Sequence, residues 1–228
     1  MSVRLSGALM GPSALLFDLD GTLLDSAPDL ASATDRMLVD LGFEAAGEAR
    51  VRQWIGNGSR KLVQRAIAFA TGVPEESVAE TAVDQAQPVF MRRYGECCTE
   101  RSRLYAGVYE ALLHWGERGV PMACVTNKPG RFTDTLLRHF GLDGWMPVAV
   151  SGDTLPVRKP DPAPLRFACE KLGVDAAAAI MIGDSRNDVL AARAADMRVI
   201  CVSYGYNYGR PAALESPDGV VDSLLELI

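Results

Sequence analysis

A short apolar segment near the start of the chain leads directly into two aspartates, and this feature restricts the fold more than any other. Residues 14–17 are small or apolar and predict a buried strand, and Asp18 and Asp20 follow it with one residue between them. Buried carboxylates lose their hydration, so two of them at a strand end need a partner. The simplest partner is a divalent cation that prefers oxygen ligands, above all Mg²⁺. Gly21 and Thr22 add backbone N–H groups in a turn that suits an anion. The pattern suggests phosphoryl chemistry at the end of a strand.

From residue 103 onward, predicted helices and strands alternate. The predicted helices cover 107–118, 129–140, 162–172 and 185–195, and the predicted strands cover 120–125, 147–150, 178–182 and 198–202. Single helices between strands imply parallel pairing with right-handed crossovers. Parallel strands place their carboxyl ends along one edge of the sheet, where open α/β sheets bind ligands. We therefore expect the polar residues at the strand ends to converge there. These residues are Asp18, Thr126, Asp153, Asp184 and Tyr204.

The segment between the first strand and this alternation predicts helices only, over residues 28–93. Ser59 is the expected N-cap of one of these helices, and Pro88 is expected to end or kink the last one. A run of helices inside an alternating chain is typical of a helical insert on an α/β core. The expected fold class is α/β, a Rossmann-like parallel sheet core with an all-helical cap inserted after the first strand. The predicted domains are the core, residues 1–25 and 96–228, and the cap, residues 26–95.

Composition and charge exclude several classes of protein. The net charge is −6 and the pI is near 5.0, which argues against broad nucleic-acid binding. The five cysteines show neither zinc spacing nor a disulfide framework, and no apolar run is long enough to span a membrane. The first ten residues lack the pattern of a signal peptide, and Met10 is a second candidate start. We expect a cytoplasmic protein with reduced thiols, present as a monomer or a homodimer.

Four further residues have both a structural and a chemical interpretation. Asp188 could complete a capping box with Ser185, whereas Asp184 leaves the strand end and suits the same cation as Asp18. The loop at Thr126 and Asn127 could cap the next helix or donate to phosphate oxygens at its N-terminus. A lone lysine such as Lys159 is usually a solvated charge, but the prolines that follow it would hold a site lysine rigid.

These motifs together resemble the haloacid dehalogenase superfamily. Asp18-Leu19-Asp20-Gly21-Thr22 resembles its first motif and Thr126 its second. Lys159 resembles the third, and Gly183-Asp184 with Asp188 resembles the fourth. The order and spread match over the whole chain, and the helical insert is similar to the superfamily's C1 cap. Within the superfamily, the segments 56–58 and 204–209 are similar to bacterial phosphoglycolate phosphatases.

The resemblance implies a mechanism. Asp18 would attack phosphorus and form an aspartyl-phosphate, and Asp20 would act as the general acid and then the general base. Mg²⁺ would be held by Asp18, the backbone carbonyl of Asp20, and Asp184. Thr126, Asn127 and Lys159 would bind the phosphate group. Asp188 would orient Lys159 or the waters of the metal.

Substrate choice is expected to lie in the cap. Gly56, Asn57 and Gly58 could approach a ligand closely because the glycines carry no side chain. Arg60 lies at a predicted helix start, where the dipole disfavours a cation, so it could pair with a substrate carboxylate or simply be a solvated surface charge.

The expected function is Mg²⁺-dependent hydrolysis of a small phosphorylated metabolite, 2-phosphoglycolate. The alternatives are a sugar-phosphate or nucleotide phosphatase, a phosphomutase with the same cap, and a receiver-type signalling module. A receiver would lack both the helical insert and the Asp-x-Asp pair.

Overall fold

A six-stranded parallel sheet forms the centre of the computed structural model, which describes residues 11–228. In chain order the strands are β1 (Leu15–Phe17), β2 (Leu24–Asp25), β3 (Arg103–Leu104), β4 (Met122–Val125), β5 (Val148–Val150), β6 (Ile180–Gly183), β7 (Arg198–Val202) and β8 (Gly219–Val221). The order across the sheet is β5-β4-β1-β6-β7-β8, with every neighbouring pair parallel. The α/β fold class is confirmed, and β1 lies inside the sheet as a fully buried strand should.

Eight α-helices accompany the strands within the described residues. They are α1 (Ala27–Asp40), α2 (Glu48–Val51), α3 (Ser59–Thr71), α4 (Glu80–Cys97), α5 (Val108–Glu117), α6 (Gly130–His139), α7 (Ala163–Leu172) and α8 (Arg186–Ala194). Short 3-10 turns occupy Arg52–Trp54, Glu75–Ser77, Ala176–Ala178, Asn207–Gly209, Ala212–Glu215 and Leu224–Leu227. The predicted elements agree with these to within a few residues, whereas β8 and the short strands β2 and β3 were not predicted.

Alternate residues of β1 enter two hydrophobic clusters on opposite faces of the sheet. Leu15 and Phe17 pack in a cluster with residues of α5 and α6. Leu16 packs in a second cluster with residues of α7 and α8. This alternation follows from the two-residue period of a strand, and it fixes which way the chain points when β1 ends at Asp18.

Helices α1 to α4 share a separate hydrophobic cluster. Of the two outcomes expected at Pro88, the helix end is wrong, because α4 continues through this residue, and the kink stays a prediction. Val83 and Ala86 before the proline and Phe90 and Tyr94 after it are all buried in this cluster, so packing outweighs the missing N–H.

The N-cap of α3 also differs from the expectation. Gly58, with φ of +83°, occupies the cap position, and Ser59 is the first helical residue. The Ser59 hydroxyl instead accepts a hydrogen bond from Gln87 Nε2 at 2.8 Å. Glycine is needed at the cap position because the positive φ there lies in the left-handed region, which favours glycine.

The connections into and out of the helical segment are tied together. Strands β2 and β3 pair antiparallel, and the fully buried Asp29 of α1 accepts hydrogen bonds from the returning chain. Its donors are the backbone N–H groups of Arg101 and Ser102, at 2.9 and 2.8 Å, and the Ser102 hydroxyl at 2.7 Å. The proposed domain limits near residues 25 and 95 stay predictions.

No helix in residues 11–228 combines the length and the apolar character that crossing a membrane requires. The expectations about a leader and about Met10 as a start lie outside the described residues.

Candidate active site

Three carboxylates from two strand ends meet at the carboxyl edge of the sheet. Asp18 follows β1, Asp184 follows β6, and Asp188 lies in the first turn of α8. One oxygen of each lies within 4.8 Å of the others, and all three residues are buried. This is the predicted convergence of distant segments, and it arises because β1 and β6 are parallel neighbours.

Burial and mutual repulsion raise the pKa values in this acid cluster. Burial, with Asp188 and Asp20 close by and Lys159 acting in the opposite direction, raises the pKa of Asp18 to about 6. The pKa of Asp184 lies well above its usual range because of burial and the nearby Asp188 and Asp18. A buried cluster of this kind favours binding of a cation, because a cation would offset the repulsion among its carboxylates.

Lys159 is the ammonium group within the acid cluster. Its Nζ lies 3.1 Å from Asp18 Oδ1 and 2.6 Å from Asp188 Oδ1, and it also donates to the Val125 carbonyl at 2.6 Å. Burial alone would lower the pKa of Lys159, but Asp18 and Asp188 outweigh it and hold the pKa above its ordinary value. Lys159 therefore stays charged beside Asp18.

Asp188 has both of the local roles considered for it. Its Oδ2 accepts from the Ser185 N–H at 3.1 Å and from the Ser185 hydroxyl at 2.8 Å, which caps α8. Its Oδ1 accepts from Lys159. The carboxylate thus fixes the start of α8 and the position of the lysine together.

Asp20 faces a different partner, Lys128. The Lys128 Nζ lies 2.8 and 3.0 Å from the two carboxylate oxygens of Asp20, and the Ser26 hydroxyl donates to the same carboxylate. Because of these contacts, the side chain of Asp20 lies outside the acid cluster. The sequence motifs did not point to Lys128. The available signal was its place in the loop that follows β4, next to Thr126.

The two other polar residues predicted at the end of β4 also reach the site. Thr126 is buried, and its hydroxyl accepts from the Lys128 N–H at 3.3 Å. Asn127 Nδ2 donates to the Lys159 carbonyl at 2.9 Å and to the Gly56 carbonyl at 3.0 Å. Asn127 therefore connects the sheet edge with the helical segment.

Gly56 is held by a second asparagine that the sequence did not point to. Asn187 Nδ2 donates to the same Gly56 carbonyl at 3.0 Å and to the Tyr208 hydroxyl at 2.7 Å. A Cβ on Gly56, whose φ is +124°, would lie only 2.9 Å from the Tyr208 hydroxyl oxygen. Glycine is required here because the two parts of the chain approach so closely.

A cavity lies between the sheet edge and the helices. Asp18 and Asp20 lie on its wall together with the residues that follow β4, and α1, α3 and α4 complete it. Its lining residues are Asp18, Asp20, Leu30, Ile55, Gly56, Gly58, Ser59, Leu62, Phe90, Tyr94, Thr126, Asn127, Lys128, Pro129 and Phe132. The acid cluster and the cavity therefore share Asp18.

Three residues considered from the sequence lie elsewhere. Arg60 forms ion pairs with Glu80 and Asp84 on α4 and does not line the cavity, and its assignment to a substrate stays a prediction. Asn57 accepts from Arg65 Nη2 at 2.9 Å. Asp153 is exposed and accepts from the Gly130 N–H at the start of α6 at 2.9 Å, so its expected convergence on Asp18 is wrong.

The acid cluster fits a divalent cation. The hydrogen bonds among residues 11–228 use Oδ1 of Asp18 and Oδ2 of Asp184, which leaves the other oxygen of each carboxylate available as a hard ligand.

Comparison with known proteins identifies the family of the chain. The sequence model described as haloacid dehalogenase-like hydrolase matches residues 12–196. A Nitrosococcus oceani protein named phosphoglycolate phosphatase is 44% identical over 220 residues, which are 96% of each chain. A Pseudomonas fluorescens protein of the same name is 46% identical over 217 residues, 95% of this chain and 79% of that protein.

A solved structure shows the same architecture. It is described as a predicted phosphoglycolate phosphatase from Haemophilus somnus, with a TM-score of 0.89 and 37% identity over 96% of this chain and 97% of that one. With the matched residues spanning both strand ends that carry the acid cluster, the chain belongs to the haloacid dehalogenase-like hydrolases.

Proposed function

We propose that this protein is a phosphatase that hydrolyses 2-phosphoglycolate to glycolate and phosphate. The observation that carries the proposal is the position of Asp18, which belongs to the acid cluster and to the cavity wall at once. A phosphate group in the cavity would thus meet a carboxylate nucleophile beside a cation site. The relatives named phosphoglycolate phosphatase, at 44% and 46% identity, support the choice of substrate.

The reaction proceeds in two displacements. A carboxylate oxygen of Asp18 attacks phosphorus, the bond from phosphorus to the glycolate oxygen breaks, and Asp20 gives a proton to that oxygen. Asp20 then takes a proton from water, whose oxygen attacks phosphorus and releases phosphate from Asp18. The position of both residues supports these roles, since Asp18 and Asp20 line the same cavity.

The groups around Asp18 orient and neutralise the phosphate. Lys159, 3.1 Å from Asp18, places a positive charge beside the phosphate site, the Thr126 hydroxyl offers a donor to a phosphate oxygen, and Asn127 fixes the Lys159 backbone. Asp18, Asp184 and the backbone carbonyl of Asp20 would hold Mg²⁺. When bound, Mg²⁺ reduces the repulsion between the phosphate and the carboxylates. Asp188 positions Lys159 from behind.

The helical segment acts as a cap that limits the size of the substrate and excludes water. Its side of the cavity is largely apolar, with Leu30, Ile55, Leu62 and Phe90 facing the sheet edge. Excluding bulk water strengthens the electrostatic contacts in the site, while a single water molecule must still reach phosphorus for the second displacement.

Phosphate release from a substrate panel tests the proposal. The purified protein with Mg²⁺ is given 2-phosphoglycolate, sugar phosphates, a nucleotide and an aryl phosphate, and kcat/KM is measured for each. We expect 2-phosphoglycolate to give the highest value, and EDTA to abolish turnover with recovery on adding Mg²⁺. If a sugar phosphate gives a higher kcat/KM than 2-phosphoglycolate, the sugar phosphate becomes the better candidate substrate. Conversion of one sugar phosphate to an isomer would indicate a phosphomutase.

A further inference from the structure

Lys128 is the single cationic residue among those that line the cavity. Its side chain is only 2% exposed, so its charge is withdrawn from bulk water and directed at the groups around it. A buried ammonium beside a substrate cavity carries a desolvation cost, and that cost is offset only by anionic or polar partners. Its partners therefore indicate which part of a substrate it can contact.

Two partners of Lys128 are already in place. The Nζ lies 2.8 and 3.0 Å from the carboxylate oxygens of Asp20 and 4.7 Å from the centre of the Tyr94 ring. An ammonium group has three N–H donors, and the two bonds to Asp20 leave one of them for a further acceptor, because the contact with the ring face is electrostatic.

The two buried lysines of the site lie beside different aspartates. Lys159 contacts Asp18, the nucleophile of the proposed reaction, and so lies on the phosphorus side. Lys128 contacts Asp20, which gives its proton to the leaving oxygen, and so lies on the leaving-group side. In 2-phosphoglycolate a single methylene separates that leaving oxygen from the carboxylate.

We infer that Lys128 binds the carboxylate of the leaving group and thereby selects phosphorylated acids over phosphorylated alcohols. This inference rests on the proposed function, since it assigns a residue to the substrate named there. Arg60, the cation that the sequence suggested for this carboxylate, is occupied by Glu80 and Asp84 outside the cavity wall. Lys128 then acts as a specificity-determining residue.

A pair of non-hydrolysable ligands separates this role from any effect on chemistry. The ligand 3-phosphonopropanoate has the shape and charge of 2-phosphoglycolate, and propylphosphonate lacks the carboxylate. Dissociation constants are measured by calorimetry with Mg²⁺ for the wild type, Lys128→Met and Lys171→Met. Lys171 is a matched control because its ammonium also lies over an aromatic ring, that of Phe167, but its helix α7 lies outside the cavity wall.

We expect the wild type and Lys171→Met to prefer 3-phosphonopropanoate by about 10- to 100-fold, as a charge-assisted hydrogen bond predicts. In Lys128→Met the preference should fall to within about twofold, with propylphosphonate affinity nearly unchanged. If Lys128→Met keeps the wild-type preference, the inference is wrong while the proposed substrate stands. If the wild type itself shows no preference, the proposed substrate fails and the inference fails with it.

Nitrogen NMR on the unmutated protein gives a second test that does not depend on a variant folding. The chain has only four lysines, at positions 61, 128, 159 and 171, so ¹⁵N-lysine labelling yields few side-chain signals. We expect the Nζ signal of Lys128 to move with 3-phosphonopropanoate and to stay in place with propylphosphonate. The Nζ signal of Lys159 should respond to both ligands, and a Lys128 signal that responds equally to both would overturn the inference.

Discussion

The two walls of the cavity are built in opposite ways. On the sheet side, buried polar side chains are joined by hydrogen bonds and ion pairs, as between Lys128 and Asp20 and between Lys159 and Asp18. On the helical side, the wall consists mainly of buried hydrophobic side chains. The helical contributors are Leu30, Ile55, Gly56, Gly58, Ser59, Leu62, Phe90 and Tyr94.

Under the proposed function, this difference separates two tasks. The sheet side has groups whose charge can change or be shared during a reaction, and the hydrogen-bond network holds them in position. The helical side has groups that exclude water and limit size. Substitutions on the sheet side should therefore reduce turnover of every substrate, and substitutions where the two walls meet should produce smaller effects.

Asp18→Asn gives the largest expected effect. The amide keeps the shape of the side chain but is not a nucleophile toward phosphorus, so we expect kcat for 2-phosphoglycolate to fall by at least about 10⁴-fold. Phosphate release measures this, with Asp134→Asn, an exposed change on α6, as the control. Full turnover by Asp18→Asn would show that Asp18 is not the nucleophile. The sheet side would then not have the catalytic role proposed for it.

Gly56→Ala tests the contact between the two walls. A Cβ there would lie 2.9 Å from the Tyr208 hydroxyl oxygen, on a backbone whose φ is +124°. Strain of about 1 to 3 kcal/mol should displace the loop and lower kcat/KM about tenfold for all substrates. Gly42→Ala is the matched control, because its φ is +85° but no atom lies within 4 Å of the added Cβ.

The expected outcome for Gly42→Ala is a loss of stability in thermal unfolding with kcat/KM near that of the wild type. Equal losses of kcat/KM in both variants would mean that glycine conformation alone matters, and that the contact of Gly56 with Tyr208 does not position the wall.

The sheet side was largely predictable from the sequence. Parallel strands place their carboxyl ends together, so the apolar run before Asp18 and the strand before Asp184 were enough to bring these two aspartates to one edge. The rule does not apply to every strand end. Asp153 follows β5 at the margin of the sheet, and its carboxylate turns to the N-terminus of α6 instead.

The meeting of the two walls was not predictable in this way. Lys128 and Asn187 lie at predicted helix starts, and no sequence motif points to either residue. Their contacts with Asp20 and Gly56 depend on how side chains from distant segments point across the cavity, and no periodicity in a single sequence encodes that. The continuation of α4 through Pro88 has the same origin, since packing around Phe90 and Tyr94 decides it.

Asn187→Ala should give a smaller effect than Gly56→Ala. It removes the donor to the Gly56 carbonyl at 3.0 Å, but Asn127 still donates to that carbonyl at the same distance. We expect kcat/KM to fall about three- to fivefold, as for the loss of one shared hydrogen bond. In Tyr208→Phe, which keeps the bond between Asn187 and Gly56, kcat/KM should fall less. If Tyr208→Phe lowers kcat/KM more than Asn187→Ala does, the contact depends mainly on the tyrosine hydroxyl.

Arg60→Ala gives the smallest expected effect and decides between two cations for the substrate carboxylate. Arg60 is 45% exposed and pairs with Glu80 and Asp84, so its loss should leave kcat/KM for 2-phosphoglycolate within about twofold of the wild type. The comparison is made on 2-phosphoglycolate and ethyl phosphate, which lacks the carboxylate. A fall of tenfold or more confined to 2-phosphoglycolate would mean that Arg60 leaves its ion pairs to bind the substrate. The helical side would then recognise charge as well as size, and Lys128 would no longer be needed to explain selection of an acid.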